Sequence, residues 1–176
     1  MSFYKQLGGN NKRILTCLVE DEPGVLERIV SLIRRRMFNI ASLTVDHCER
    51  EGFSRMTIRV EAGDVEQVRK QLDKLINVIE VKDVTKEDIV IRELALITVK
   101  TTPATRGEII QTAGIFRANI VDVALESLVI EVSGDEEKIE ALINLLLNFG
   151  IKEIVRTGLI ATCRGGHTRT KKQQAG

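Results

Sequence analysis

Hydrophobic and polar residues alternate along the first half of the chain in a pattern that predicts four strands and two helices. Residues 13–20 are apolar on both faces and predict a buried central strand. A Pro-Gly pair ends that strand, and apolar residues then recur at helical spacing. Residues 39–48 and 53–61 should form a hairpin, because a short connection containing Gly joins them. A second helical stripe leads to a strand at residues 77–84. The two stripes consist of Val25, Leu26, Ile29, Val30, Ile33 and Met37, and of Val65, Val68, Leu72 and Leu75.

The second half of the chain repeats this order of elements. Four strands again alternate with two helical stripes, and the resulting order βαββαβ is that of the ferredoxin-like, split-βαβ unit. We therefore predict an α+β protein built from two tandem ferredoxin-like units. The repeat comprises predicted strands at residues 89–100, 119–124, 128–133 and 151–163, with stripes formed by Ile109, Ile110, Ala113 and Phe116 and by Ile139, Leu142, Ile143 and Leu146.

The repeat divides the chain into two predicted domains, residues 13–85 and residues 86–163, with a charged linker at the boundary. Residues 1–12 contain a Gly-Gly-Asn-Asn run and are predicted to be a flexible N-terminus. Residues 164–176 carry basic side chains and no acid, which predicts a basic flexible tail. Each domain is small and buries limited surface alone. The strand at residues 39–48 is a candidate open edge through which a homodimer forms.

Composition and charge remove several classes of function. The net charge is +1 and aromatic residues make up 3% of the chain, so neither a global field nor base-stacking rings favour nucleic acid. No apolar run approaches the roughly 20 residues that a membrane span needs, and no signal-peptide pattern opens the chain. We therefore expect a cytoplasmic protein with no membrane segment. Cys17, Cys48 and Cys163 are widely spaced without a CxxC pair, which predicts neither a disulfide framework nor a metal site.

Residues that could carry catalysis do not converge in the sequence. His47 and Cys48 are neighbours in one predicted strand, so their side chains point to opposite faces and cannot form a thiolate–imidazole pair there. No phosphate-binding glycine loop and no HExxH pattern is present. We therefore predict that the chain has no catalytic residues and is not an enzyme.

The loop between the first strand and the first helix is the most informative stretch. A helix N-terminus offers backbone N–H groups and a positive dipole end to a carboxylate. Gly24 lets a ligand approach the backbone closely, and Asp21 could hold an ammonium group by a charge-assisted hydrogen bond. An α-amino acid carries both charges on one carbon. The alternative is that Asp-x-Pro-Gly is only a turn and a helix cap.

These residues also resemble a known family. Residues 21–26, DEPGVL, followed by residues 38–40, FNI, resemble the signature of ACT domains, which bind amino acids. The strings at residues 39–45 and 54–58 are similar to those of acetolactate synthase small subunits. The similarity extends through residues 90–96, VIRELAL, and through residues 115–123 and 156–158. It therefore covers nearly the whole ordered chain.

The resemblance implies a regulatory subunit. Such a chain binds a separate catalytic subunit, which holds thiamine diphosphate, FAD and magnesium, raises its activity and confers feedback inhibition by valine in branched-chain amino acid biosynthesis. The regulatory chain itself is expected to hold no cofactor and no metal. The effector site of this family lies where two N-terminal ACT domains meet. The residues implied here as valine-binding are Asp21, Pro23, Gly24, Val25, Asn39 and Ile40.

Three questions stay open at the level of sequence. Residues 101–107, TTPATRG, lack the Asp-x-Pro-Gly pattern, so the second domain is expected to be a degenerate ACT-like unit that does not bind the effector in the same way. An alternative function is a free-standing ACT sensor acting on another enzyme or on a transcriptional partner. Asn39 has an alternative role as a helix C-terminal cap, because Asn tolerates the left-handed conformation.

Overall fold

The computed structural model describes residues 12–61 and 65–166, which form two compact units. The first unit contains the described residues up to Val90 together with those from Leu159 onward, and the second unit contains residues 91–158. The predicted flexible segments, residues 1–12 and 164–176, lie almost entirely outside the described residues. Among the described residues, no helix has both the length and the apolar character needed to span a membrane.

The first unit is an antiparallel sheet with two helices on one face. Its strands lie in the order β2-β3-β1-β4, so β1 is central, as its continuous apolar sequence predicts, and β2 is an edge. The elements are β1 (Lys12–Glu20), α1 (Val25–Arg35), β2 (Ile40–His47), β3 (Phe53–Glu61), α2 (Val65–Leu72) and β4 (Val78–Asp83).

Alternation along the strands sets the core of this unit. Every second residue of β1 and β3 faces the helices and is buried. The predicted stripe of α1 is only half correct, however, because the buried face of the helix is narrower than the apolar stripe. The core includes Leu15, Cys17, Val19, Met56, Ile58 and Val60 with Val25, Ile29 and Ile33 from α1, whereas Leu26, Val30 and Met37 are 43%, 39% and 88% exposed.

The second unit repeats the topology, which confirms the prediction of two ferredoxin-like units. Its strands lie in the order β6-β7-β5-β8, again antiparallel, with the first strand of the repeat in the centre. The elements are β5 (Ile89–Lys100), α3 (Arg106–Ile115), β6 (Asn119–Val123), β7 (Ser127–Gly134), α4 (Glu136–Leu146), a short 3-10 turn (Leu147–Phe149) and β8 (Ile151–Arg156).

The last predicted strand, residues 151–163, is wrong as one element. It divides into β8 and a separate strand, β9 (Ile160–Cys163), and Gly158 between them has a left-handed φ of 86°. The segment from Leu159 onward belongs to the first unit. There the Leu159 N–H donates to Ser42 Oγ at 3.1 Å, and Thr44 Oγ1 donates to the Leu159 carbonyl at 2.8 Å. These hydrogen bonds tie the end of the described chain to β2.

Candidate functional site

The β1–α1 loop is held in a defined shape by backbone hydrogen bonds. The N–H of Asp21 donates to the carbonyl of Gly52 in the β2–β3 turn at 2.9 Å. Gly24 precedes α1 with a φ of 86°, and the N–H of Arg28 donates to its carbonyl at 3.0 Å. This left-handed conformation favours glycine. Because Gly24 has no side chain, no side-chain cap occupies the N-terminus of α1.

The carboxylate of Asp21 already has two side-chain partners. Ser54 Oγ donates to Asp21 Oδ1 at 3.1 Å, and His47 Nδ1 lies 3.0 Å from Asp21 Oδ2. The side chains of Asp21 and His47 are 41% and 79% exposed, so the pair is open to solvent. The three residues come from the end of β1, the end of β2 and the start of β3, and together they place a fixed anion beside the N-terminus of α1.

A second polar network anchors the same end of the sheet. Arg28 Nη1 donates to Asn77 Oδ1, and Asn77 Nδ2 donates to Glu20 Oε2, each at 2.6 Å. The Glu20 N–H donates to the Asn77 carbonyl at 2.9 Å. Asn77 is only 8% exposed, and its two amide groups therefore fix the first turn of α1 relative to β1 and β4.

The six predicted site residues do not meet within one chain. Asp21, Pro23, Gly24 and Val25 lie on one loop, whereas Asn39 and Ile40 lie at the start of β2. The strand register puts these groups at opposite ends of the sheet, since Ile40 pairs with Val60 and the far end of β2 pairs with Ser54. Seven residues of strand separate them, a distance of about 23 Å.

The alternative role of Asn39 as the left-handed cap is wrong. Met37 holds that conformation, with a φ of 57°, and the Phe38 N–H donates to the Ile33 carbonyl while the Met37 N–H donates to the Arg34 carbonyl. These are the two hydrogen bonds of a Schellman motif. Asn39 lies after the cap. It is exposed and has an interaction partner in the structure.

The corresponding corner of the second unit has different chemistry on the same backbone. The Thr101 N–H donates to the Glu126 carbonyl as Asp21 does to Gly52, so Thr101 occupies the position of Asp21. Thr101 is buried, at 4% exposure. Arg106, the first residue of α3, donates through Nη2 to the carbonyls of Ala124 and Leu125 at 3.0 and 2.7 Å. In this corner the Thr101 side chain is therefore not open to solvent, and the Arg106 side chain is bound to the turn.

Ser54 and His47 are the site residues that sequence reasoning missed. The signal that would have found them is the antiparallel register, because Ser54 pairs with Val19 on one side and with His47 on the other. A hairpin drawn residue by residue from the predicted strands brings Ser54 and His47 toward the end of β1. The sequence by itself draws attention to His47 only as the neighbour of Cys48.

Side chains that could ligate a metal do not form a metal site in the part of the chain that the structure describes. Across residues 12–61 and 65–166, no three His, Cys, Asp or Glu side chains are placed to hold one ion. Cys17 lies in the core of the first unit, where burial raises the pKa of its thiol to about 12. Its thiol is therefore protonated and acts as a small apolar group.

The fold and the loop define the first unit as an ACT domain. Residues 15–80 match the family model of the AHAS small subunit-like ACT domain, and residues 92–165 match the model described as the small subunit of acetolactate synthase. The match continues through both units, and the chain belongs to the acetolactate synthase small-subunit family.

Individual relatives agree with this assignment over nearly their whole length. A probable acetolactate synthase small subunit of Archaeoglobus fulgidus is 54% identical over 156 residues, which cover 88% of this chain and 98% of the relative. The acetolactate synthase small subunit of Bacillus subtilis is 52% identical over 157 residues, covering 88% and 91%. The crystal structure of the small subunit from Thermotoga maritima superposes with a TM-score of 0.79 at 40% identity, covering 87% of this chain and 97% of that one.

Proposed function

We propose that this chain is a non-catalytic regulatory subunit that binds the acetolactate synthase catalytic subunit, raises its activity and confers feedback inhibition by valine. The observation that carries the proposal is the match of both units to small-subunit models, together with relatives about half identical in sequence and named as acetolactate synthase small subunits. Thiamine diphosphate, FAD and magnesium then belong to the catalytic subunit.

The effector contacts follow from the exposed corner at the start of α1. The ammonium group of valine binds the Asp21 carboxylate, which Ser54 holds in place. The valine carboxylate takes the N-terminus of α1, where Gly24 leaves room and no side chain competes for the N–H groups. Pro23 and Val25 shape the loop, since Val25 is buried in the core while its backbone opens the helix.

A second copy of the chain completes this site. β2 is the edge of its sheet, and two copies can pair along it in antiparallel fashion about a two-fold axis. Pairing about the middle of β2 places Ile40 of one chain opposite His47 of the other. Asn39 then lies beside the neighbouring chain's Asp21–Gly24 loop, although the two are far apart within one chain.

The surface beside that edge suits burial in a homodimer. Apolar side chains of α1 and β2 remain exposed on the isolated chain, and a helix and an edge strand on the same side present them together. Their burial favours self-association, which also enlarges a small core. These side chains are Leu26, Val30, Met37 and Val45, at 43%, 39%, 88% and 44% exposure.

An activity assay tests the proposal. The catalytic subunit is assayed alone and with this chain, and valine is then titrated into both samples. We expect the chain to raise the activity and to make it sensitive to valine. No change of activity, combined with no co-purification of the two proteins, would contradict a role in this enzyme and favour a free-standing amino-acid sensor.

A further inference from the structure

His47 lies where the effector would bind, in contact with the carboxylate that is assigned to the effector's ammonium group. We propose that His47 makes amino-acid binding depend on pH, because its protonated imidazole competes with the ammonium group for Asp21. The inference rests on the proposed effector site and adds its regulation by protons. His47 is not part of the ACT signature and enters the site only through the fold.

The geometry of the pair supports competition between two cations. His47 Nδ1 lies 3.0 Å from Asp21 Oδ2, a distance at which a protonated imidazole forms an ion pair with the carboxylate. Ser54 Oγ occupies Oδ1 of the same carboxylate. Each carboxylate oxygen can accept more than one hydrogen bond, so the ammonium group can bind beside Ser54 and His47, but it then shares the negative charge of Asp21 with the imidazole. Both side chains are open to solvent, so protons and small ligands reach them freely.

Position along β2 explains why this residue can act on the site. His47 is the last residue of the edge strand and pairs with Ser54, which in turn pairs with Val19 two residues before Asp21. Ser54 and His47 thus lie on adjacent strands, and Asp21 lies in the loop that follows the third.

The second unit provides an internal contrast. There Leu128 pairs with Val99 and Val123, as Ser54 pairs with Val19 and His47. Val123 therefore stands where the first unit has His47, and the buried Thr101 stands where it has Asp21. Neither side chain carries a charge, so the pair of ionisable groups is confined to the unit that is proposed to bind the effector.

The elements that carry the pair, and the turns next to them, also contain other charged groups, all of them carboxylates or guanidinium groups. Carboxylates and guanidinium groups ordinarily stay ionised between about pH 5.5 and 7.5, whereas an imidazole changes charge in that interval. A backbone hydrogen bond and Arg55 lower the pKa of Glu49, which keeps it ionised as well. The thiol of Cys48, next in sequence, donates toward the Arg50 and Phe53 carbonyls instead. The surrounding elements carry Glu20, Glu22, Glu27, Asp46, Glu49 and Glu51, and the cations Arg28, Arg50 and Arg55.

The sign of the effect follows from the charges. At low pH the imidazolium neutralises the Asp21 carboxylate and weakens its attraction for a second cation. A neutral imidazole at higher pH leaves the negative charge of Asp21 to the ammonium group. Because the pair is exposed, we expect valine affinity to fall by only about two- to fivefold between pH 7.5 and pH 5.5.

Two substitutions of His47 separate charge from shape. His47→Gln keeps a neutral donor and His47→Lys keeps a permanent cation, so the first fixes the high-pH state and the second the low-pH state. We expect calorimetric titration of the full chain with valine to give pH-independent affinities for both variants, with His47→Gln tighter by about two- to fivefold. His167→Gln, at the chain's other histidine, is the control and should keep the parental pH dependence.

Distinct results would overturn the inference and the site beneath it. Valine affinity of the parent chain that is constant from pH 5.5 to 7.5, or a pH dependence that His47→Gln retains, would show that His47 does not compete, with the effector site intact. Failure of the parent chain to bind valine at any pH would instead remove the proposed effector site, and the role of His47 with it.

Discussion

The corner between the first strand and the first helix is built on the same backbone in both units but carries opposite chemistry. In the first unit it is exposed and acidic, with the Asp21 carboxylate contacting Ser54 and His47 at the surface. In the second unit, Thr101 is buried and Arg106 closes the corner by donating to two turn carbonyls. The repeat therefore preserves the scaffold, while only the first copy has a carboxylate side chain at the position of Asp21 and Thr101.

Backbone contacts elsewhere show how closely the scaffold is preserved. The Ile14 N–H donates to Thr85 Oγ1 at 2.9 Å, and the Leu94 N–H donates to Thr157 Oγ1 at 3.1 Å, at equivalent places in the two sheets. Both first helices end in a Schellman motif with a non-glycine residue, Met37 or Arg117, at positive φ. These contacts are shared by the two units, whereas the charge of the corner differs between them.

The largest expected difference between the units is the loss of stability when one arginine is replaced in each. Arg156 contacts Glu93 and Glu140, and the Glu93 side chain is 3% exposed. Arg156→Gln removes the cation beside the buried Glu93 carboxylate and the partly buried Glu140 carboxylate, and should lower the free energy of unfolding by about 3–5 kcal/mol. Arg28→Gln, at an exposed arginine of the first unit, should cost about 1 kcal/mol. Urea unfolding of the two variants measures both free energies of unfolding. Equal losses would contradict the conclusion that Arg156 belongs to a buried ion cluster and Arg28 does not.

The next difference concerns effector binding. Asp21→Ala removes a charge-assisted contact worth about 1.5–3 kcal/mol and should weaken valine binding by one to two orders of magnitude. The variant should still activate the catalytic subunit, because Asp21 lies in an exposed loop. Thr101→Ala is the matched change in the second unit, and we expect the valine affinity of that variant to equal the parent's. Calorimetry with valine on both variants decides, and a comparable loss in Thr101→Ala would assign binding to the second corner as well.

A smaller difference concerns glycines. Gly24 has a φ of 86° and no atom within 4 Å of an added Cβ, so Gly24→Ala should cost about 1 kcal/mol through backbone conformation alone. Gly107 lies in α3, also in open space, and Gly107→Ala should stabilise the chain by about 0.5–1 kcal/mol through helix propensity. Thermal unfolding compares the two. A stabilising Gly24→Ala would contradict the left-handed start of α1.

The smallest expected effect concerns the second helix of each unit. A side-chain hydrogen bond from Arg69 is the main cause that lowers the pKa of Glu66 in α2 to about 2. Because the folded pKa is depressed, the stability that the pair contributes is present above pH 4.5 and is lost as pH falls from 4.5 to about 2. In α4, by contrast, Asp135 caps the helix by accepting from the Lys138 N–H.

Denaturant unfolding of the parent and of Glu66→Gln as a function of pH checks this prediction. The parent should be slightly more stable at pH 5, since the pair is exposed, and the two free energies of unfolding should converge toward pH 2. A difference that stays constant across that range would show that the pair does not contribute through ionisation.

Sequence pattern predicted most of the fold because each strand and helix carries its own apolar periodicity. It could not predict the destination of β9, since four residues do not encode which sheet covers them, and Gly158 breaks the strand that apolar residues suggested. It also could not show which residues of the apolar stripe at α1 are buried, because the exposed Leu26 and Met37 are as apolar as their buried neighbours. Their exposure becomes intelligible if that face is covered by a second chain.

The candidate site likewise contains residues that the sequence predicted and residues that it did not. Asp21 and Gly24 were predicted because turn, helix start and signature coincide in a few consecutive residues. Ser54 and His47 were not, because long-range register and not local sequence brings them to Asp21. The distance along β2 between Asn39 and the loop likewise follows from the register, and the proposed site is complete only if a second chain supplies Asn39.

A mixed-chain experiment tests most directly whether the effector site of the first unit is shared between two copies. Asp21→Ala and Asn39→Ala chains are unfolded, mixed in equal amounts and refolded, and valine binding is measured by calorimetry. Each variant alone should bind weakly. If one site combines Asp21 of one chain with Asn39 of the other, mixed dimers regain one intact site, and high-affinity binding should return to about a quarter of all sites. Mixed chains that bind no better than the separate variants would contradict a shared site.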